Sequence, residues 1–98
     1  MKVRYTLRAR PHLDAIFDYI EARAPKVAYE VIDLLERRIA GLAEFPRMAP
    51  MTDEPDVRQL PIVRYPYRVY YEIVEDEVWI LHIRHVRRRP WRRGDLDP

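Results

Sequence analysis

The chain has no cysteine and no serine, only two glycines, and only two lysines, Lys2 and Lys26. Without cysteine there can be no disulfide, no thiolate zinc site and no cysteine nucleophile, a composition that fits a reducing cytoplasm. Without serine there is no serine nucleophile, and so few glycines cannot build a Gly-rich phosphate loop. No uninterrupted apolar run approaches the roughly 18 residues that would suggest a membrane span. The opening MKVRYTLRARPHLDAIFDYI alternates like a strand and then takes on acids at helical spacing, which is not the pattern of a signal peptide.

What is present is apolar and charged in nearly balanced measure. Hydrophobic residues make up 48% of the 98 positions, enough to offset the 35% that are charged and to argue against disorder. The length suits one domain, residues 1–98, with a single modest core. The net charge of +2 hides an asymmetry: arginines stand at 84, 87, 88, 89, 92 and 93, with no acid among them. Such a patch suits phosphate or an acidic protein surface, although it also reads as a solvated basic tail.

Periodicity orders the chain as β-α-α-β-β-β. Lys2 to Leu7 alternates, with Val3, Tyr5 and Leu7 on the core side. Pro11 suits a first helical turn, and Leu13, Ile16, Phe17 and Ile20 follow the helical stripe as far as Ala24, where Pro25 disfavours helical geometry. Pro25 opens a second helix expected to run to Phe45, about 30 Å long. Its stripe is Ala28, Val31, Ile32, Leu35, Ile39 and Leu42, widened by Val27 and Leu34. Asp33 and Arg37 are ordered for an i, i+4 pair. Arg47 to Asp56 reads as a loop, and Val57 to Ile62 as a strand that Pro61 places at an edge or ends early.

The last two strands, Tyr67 to Val74 and Glu77 to Val86, read as a hairpin closed by Glu75 and Asp76. That loop sets Val74 opposite Glu77, Tyr70 opposite Leu81, Arg68 opposite Ile83 and Pro66 opposite His85. Arg68, Tyr70, Glu72, Trp79, Leu81, Ile83 and His85 then share one face. The other carries Tyr67, Val69, Tyr71, Ile73, Val78, Ile80, His82 and Arg84. Both faces are apolar, so one should lie on a core and the other be partly covered. The whole is an α+β sandwich of a helical hairpin on a small antiparallel sheet.

Chemistry is sparse. His82 and His85 are an odd number apart on a strand and point to opposite faces, so they cannot share an ion, and no metal or cofactor is implied. Arg68 and His85 on one expected face, with Glu72, could stabilise and protonate at a phosphoryl centre. The same residues also read as structural, with Arg68 paired to Glu72 and His85 capping the sheet.

The element order, the PYRVYYEI segment from Pro66 to Ile73 and the VWILHIRHVRRRPW segment from Val78 to Trp91 resemble the RelE/ParE toxin superfamily of bacterial type II toxin–antitoxin systems. The resemblance implies a small cytoplasmic toxin held in a hetero-oligomer by a cognate antitoxin. RelE-like members cleave mRNA in the ribosomal A site with basic residues on the concave sheet face. ParE-like members share the fold and poison DNA gyrase. In the RelE pattern Arg68 matches the arginine of the YR-apolar segment, and His85 or Arg87 the basic position after the last strand. Two departures favour ParE: no lysine lies from Asp56 to Gln59, and Trp91 stands where a terminal tyrosine would be. The resemblance makes Arg64, Arg84, Arg87, Arg88, Arg89 and Trp91 the expected target surface and Val27, Val31 and Leu34 the expected antitoxin surface. Arg68 and His85 become catalytic residues only if the protein is a ribonuclease.

Overall fold

Pro11 and Pro25 sit in the first turns of two consecutive helices, where a missing N–H costs no hydrogen bond. A computed structural model describes residues 1–95 of the chain, with helices α1 (Arg10–Glu21) and α2 (Pro25–Ala40) joined by three residues. Ala24, just before Pro25, is extended at φ −150° and ψ 80°, as the proline ring demands. The Asp33–Arg37 ion pair forms at 2.9 Å on the exposed side of α2.

The second helix is shorter than the sequence suggests. It stops at Ala40 and tightens into a 3-10 turn, Gly41–Ala43, which drives Leu42 fully into the core. Beyond the turn the Pro46 carbonyl accepts a hydrogen bond from Tyr71 Oη at 2.8 Å, so the chain leaves the helix axis to run across the sheet.

Strands β1 (Lys2–Tyr5), β2 (Arg58–Ile62), β3 (Tyr67–Val74) and β4 (Glu77–His85) form one sheet in the order β1-β4-β3-β2. β2, β3 and β4 are an antiparallel meander, and β1 lies parallel to β4. Pro61 occupies the edge strand, as expected. β1 ends two residues early because the amide and Oγ1 of Thr6 both donate to the Ile80 carbonyl, while the Thr6 carbonyl accepts from Ala9 and Arg10. Leu7 is therefore 81% exposed rather than on the core side.

The hairpin register holds for half its length. Val74 faces Glu77 and Tyr71 faces Ile80, but a bulge then skips Leu81 and sets Tyr70 opposite His82, Arg68 opposite Arg84 and Tyr67 opposite His85. Every later residue of β4 is thereby shifted across the sheet. Ile83, expected beside Arg68, joins the helix-side core with Val69 and Tyr71. His82 and Arg84 move instead to the face of Arg68 and Tyr70. Glu75 and Asp76 close the hairpin with φ of 49° and 63°, a primed turn made without glycine.

Val31, Leu35, Ile39 and Leu42 pack with Val69, Tyr71, Val78, Ile80 and Ile83 in the main core. On the opposite face Val57, Tyr70, Leu81 and Trp91 form a second, smaller cluster. The chain's own C-terminal segment provides the partial cover expected for that face.

Candidate functional site

Trp91 packs on the outer sheet face, its ring stacked at 6.0 Å on His82 and tilted at 6.1 Å from Tyr70. The residues around it act as fasteners. Arg84, only 2% exposed, donates to the Arg89 carbonyl at 3.0 Å and lies 3.6 Å from the Asp95 carboxylate. Asp95 also accepts from Arg89 at 3.1 Å and from the Arg92 amide at 3.1 Å. The Arg92 amide first, and then the Arg89 and Arg84 guanidinium groups, hold its carboxyl below the usual carboxylate range. Arg93 pairs with Glu72, and Arg92 with Glu54 at 3.8 Å.

This arrangement corrects two expectations. Arg84 and Trp91, expected on the target surface, are buried structural groups, because the bulge turns Arg84 outward onto a face that Trp91 then roofs. Glu72, expected to pair with Arg68, pairs with Arg93.

A third correction concerns Arg68 and His85, which the bulge places on opposite faces. Arg68 is half-buried on the outer face across from Arg84. His85 lies on the helix side, its ring edge-on to Tyr67 at 5.5 Å, with Nδ1 accepting from the Arg87 amide at 3.0 Å. They cannot converge on one phosphate.

His12 has a place that helical spacing does not reveal. β4 outruns β1, and where β1 stops the α1 N-terminus takes over: His12 Nδ1 accepts from the Ile83 amide at 3.1 Å. His12 thus satisfies a strand amide that would otherwise be an orphan. The bond leaves the proton on Nε2. Its ring lies 4.1 Å from that of His82, and both are buried. Burial first, and then neighbouring charges including Arg84 and Arg88, lower His12 to about 4 and His82 to about 3.

Between α1 and the end of β4 lies an open groove of about 820 Å³. Pro11, Ala15, Ile16, Tyr67 and Ile83 supply its apolar walls, and Arg8, Arg87 and Arg88 surround it together with His85. Among the described residues, no acidic side chain lines it. Two expected target-binding residues, Arg87 and Arg88, therefore meet here. Arg89 is engaged by Asp95 on the other side, and Arg64 sits apart, its guanidinium carbon 5.6 Å from the Tyr65 ring centroid. Arg8 had no signal in the sequence; only the β1–β4 pairing brings the start of the chain to its end.

The expected antitoxin positions divide as well. Val27 is 39% exposed and Leu34 is half-buried against the core, whereas Val31 is 1% exposed and belongs to the interior. The stripe was wide enough to read as surface, but the sheet beneath α2 takes Val31 entirely.

The helical hairpin on a four-stranded sheet matches the fold of solved ParDE and RelE structures. The family model described as "ParE toxin of type II toxin-antitoxin system, parDE" matches residues 3–90, and the chain belongs to that family. It is 33% identical over 88 residues to "Putative toxin Y4kP" of Sinorhizobium fredii, covering 90% of this chain and 91% of that one. Over 90 residues it is 36% identical to "Toxin RelE2" of Caulobacter vibrioides, covering 89% and 97%. Among solved structures, the chromosomal ParDE TA system from P. aeruginosa superposes with a TM-score of 0.79 at 25% identity, covering 88% of this chain and 96% of that one. The protein is thus a type II toxin of the RelE/ParE superfamily. Among the described residues no helix is long and apolar enough to cross a membrane.

Proposed function

We propose that this toxin is a ParE-like inhibitor of DNA gyrase, neutralised by a cognate antitoxin, rather than a ribosome-dependent nuclease. The observation that carries the reading is the closure of the Arg68 face by Trp91. RelE-like chemistry is implied to use basic residues on that face, with a proton-transfer group beside them. Here the imidazole on the same face, His82, is buried under Trp91 and held neutral down to a pH of about 3. His85, which keeps some exposure, is on the far side of the sheet from Arg68. A poison needs a surface rather than a reaction centre, and Arg87 offers an exposed guanidinium for one.

The test is supercoiling of relaxed plasmid by gyrase in the presence of the purified toxin. Inhibition accompanied by linear, cleaved plasmid supports the proposal. A preparation that binds its antitoxin yet leaves gyrase untouched overturns it. The second reading, mRNA cleavage on ribosomes, draws its support from the 36% identity to "Toxin RelE2". It requires that Arg68→Ala or His85→Ala alone abolish cleavage, since groups of this kind are worth about 2–4 kcal/mol each in the transition state.

A further inference from the structure

We infer that the free edge of β1 is a docking site for an extended segment of a partner protein that alternates acidic and apolar residues. The two edges of the sheet are unlike. At β2 the Gln59 amide donates to the Pro50 carbonyl at 3.0 Å, Met51 bridges to Arg58, and Pro61 has no N–H to offer. That edge is closed to another strand. Among the described residues β1 pairs only with β4. The Thr6 amide donates to Ile80, so the period of two turns the backbone groups of Lys2 and Arg4 toward β4 and those of Val3 and Tyr5 outward. Val3 and Tyr5 thus present the N–H and C=O groups to which a further strand adds.

A groove of about 420 Å³ runs along this edge, and its two sides differ in chemistry. Val3, Tyr5 and Leu13 make the helix side apolar, and Arg10 and Glu36, of opposite sign, add no net charge to it. Arg4 and Trp79 line the outer side, with the exposed Lys2 next along β1. A strand laid against β1 points alternate side chains to these two sides. Apolar groups suit the first and carboxylates the second. Arg4 already pairs with Glu77, so Lys2 carries the charge that an incoming acid answers. A second copy of the chain fits poorly. Antiparallel pairing of Val3 with Tyr5 sets Arg4 opposite Arg4, and pairing of Val3 with Val3 sets Lys2 opposite Arg4, like charges in either register. The same two residues that discourage self-pairing favour an acidic strand.

The test uses the full-length toxin and a synthetic peptide of about seven residues that alternates glutamate with valine, labelled with fluorescein and read by anisotropy. It should bind, more weakly as salt is raised. Lysine in place of every glutamate should weaken binding by about tenfold or more. N-methylation of one alternate set of peptide amides should abolish binding, and of the other set leave it within about threefold, because only one set faces β1. On the toxin, Lys2→Glu with Arg4→Glu should reverse the preference, taking the lysine peptide and releasing the glutamate peptide. Val3→Pro removes an outward N–H that no strand bond uses and should weaken binding by about tenfold. Val63→Asn, in the exposed turn after β2, should change the affinity less than about twofold.

Equal binding of the two methylated peptides, or an unchanged preference in the charge-reversed variant, overturns the inference. So does a wild-type toxin that unfolds cooperatively in urea yet leaves the glutamate peptide free. Concentration-dependent dimerisation in the ultracentrifuge that Val3→Pro abolishes would give the edge to a second copy and overturn it as well. Should circular dichroism show that Val3→Pro has lost its fold, the charge reversal and the methylated peptides decide.

Discussion

The two faces of the β3–β4 hairpin carry nearly the same materials, aromatic rings, histidine and arginine, and put them to opposite uses. On the outer face Tyr70, His82, Arg84 and Trp91 are closed over by the chain itself. On the helix side Tyr67, His85 and Arg87 border an open groove. What differs is the cover: Asp95, Glu72 and Glu54 tie outer arginines to the chain, whereas Arg87 stays exposed at the groove. A basic run in a sequence therefore need not be one functional patch. Its members are sorted by the face to which tertiary contacts carry them.

The largest effect should come from breaking the closed face. Trp91→Ala removes the centre of the smaller cluster and should cost about 3 kcal/mol or more, read as a lower urea midpoint. Truncation after Val86 should go further, uncovering Tyr70, His82 and Arg84 and removing Asp95 from Arg84. Loss of cooperative unfolding is the expected outcome.

Acid should attack the same region next. His12 and His82 are neutral in the folded state and ionise near 6.5 once unfolded, so the unfolded chain binds more protons below that pH. The histidine contribution to stability should be flat above pH 6.5, fall as pH drops toward about 4, and level off as the folded-state values are passed. For His12 the loss is on the order of 3 kcal/mol. His82→Phe keeps a ring against Trp91 and should flatten the pH profile of the unfolding midpoint. An unchanged slope would mean that His82 is not buried in its neutral form.

A change at the turn should favour both faces alike. Glu75 and Asp76 hold positive φ at a cost that Asn and Gly there would relieve. Glu75→Asn with Asp76→Gly should raise stability by about 1 kcal/mol without altering partner binding. The smallest effect on folding belongs to the open face: Arg87→Glu should shift stability by no more than about 0.5 kcal/mol. A large loss of stability there would erase the contrast between the faces.

Much of the architecture is legible without coordinates. Pro11 and Pro25 mark helix starts, Pro61 marks an edge strand, and the helical stripes assign Leu35, Ile39 and Leu42 to the core. The site is less legible, and the reason is the bulge opposite Tyr70 and Tyr71. Period-two alternation is reliable only while the ladder is unbroken, and one extra residue inverts every assignment after it. That one step carries His82, Ile83, Arg84 and His85 to the faces opposite those that alternation predicts. Val31 shows a different limit: the stripe puts it in the core, and its burial there removes it from the partner surface also expected of it.

The sequence by itself determined the order of elements, the family and the pooling of positive charge near the C-terminus. These depend on local backbone preferences and on composition, which neighbouring residues carry. Which arginines fasten the outer face and which stand at the groove is settled by tertiary contacts. That choice depends on contacts between distant parts of the chain: β1 pairing with β4, His12 completing the ladder where β1 stops, and Asp95 folding back onto Arg84. Residues far apart in the chain meet there, and no spacing rule can express their distance in space.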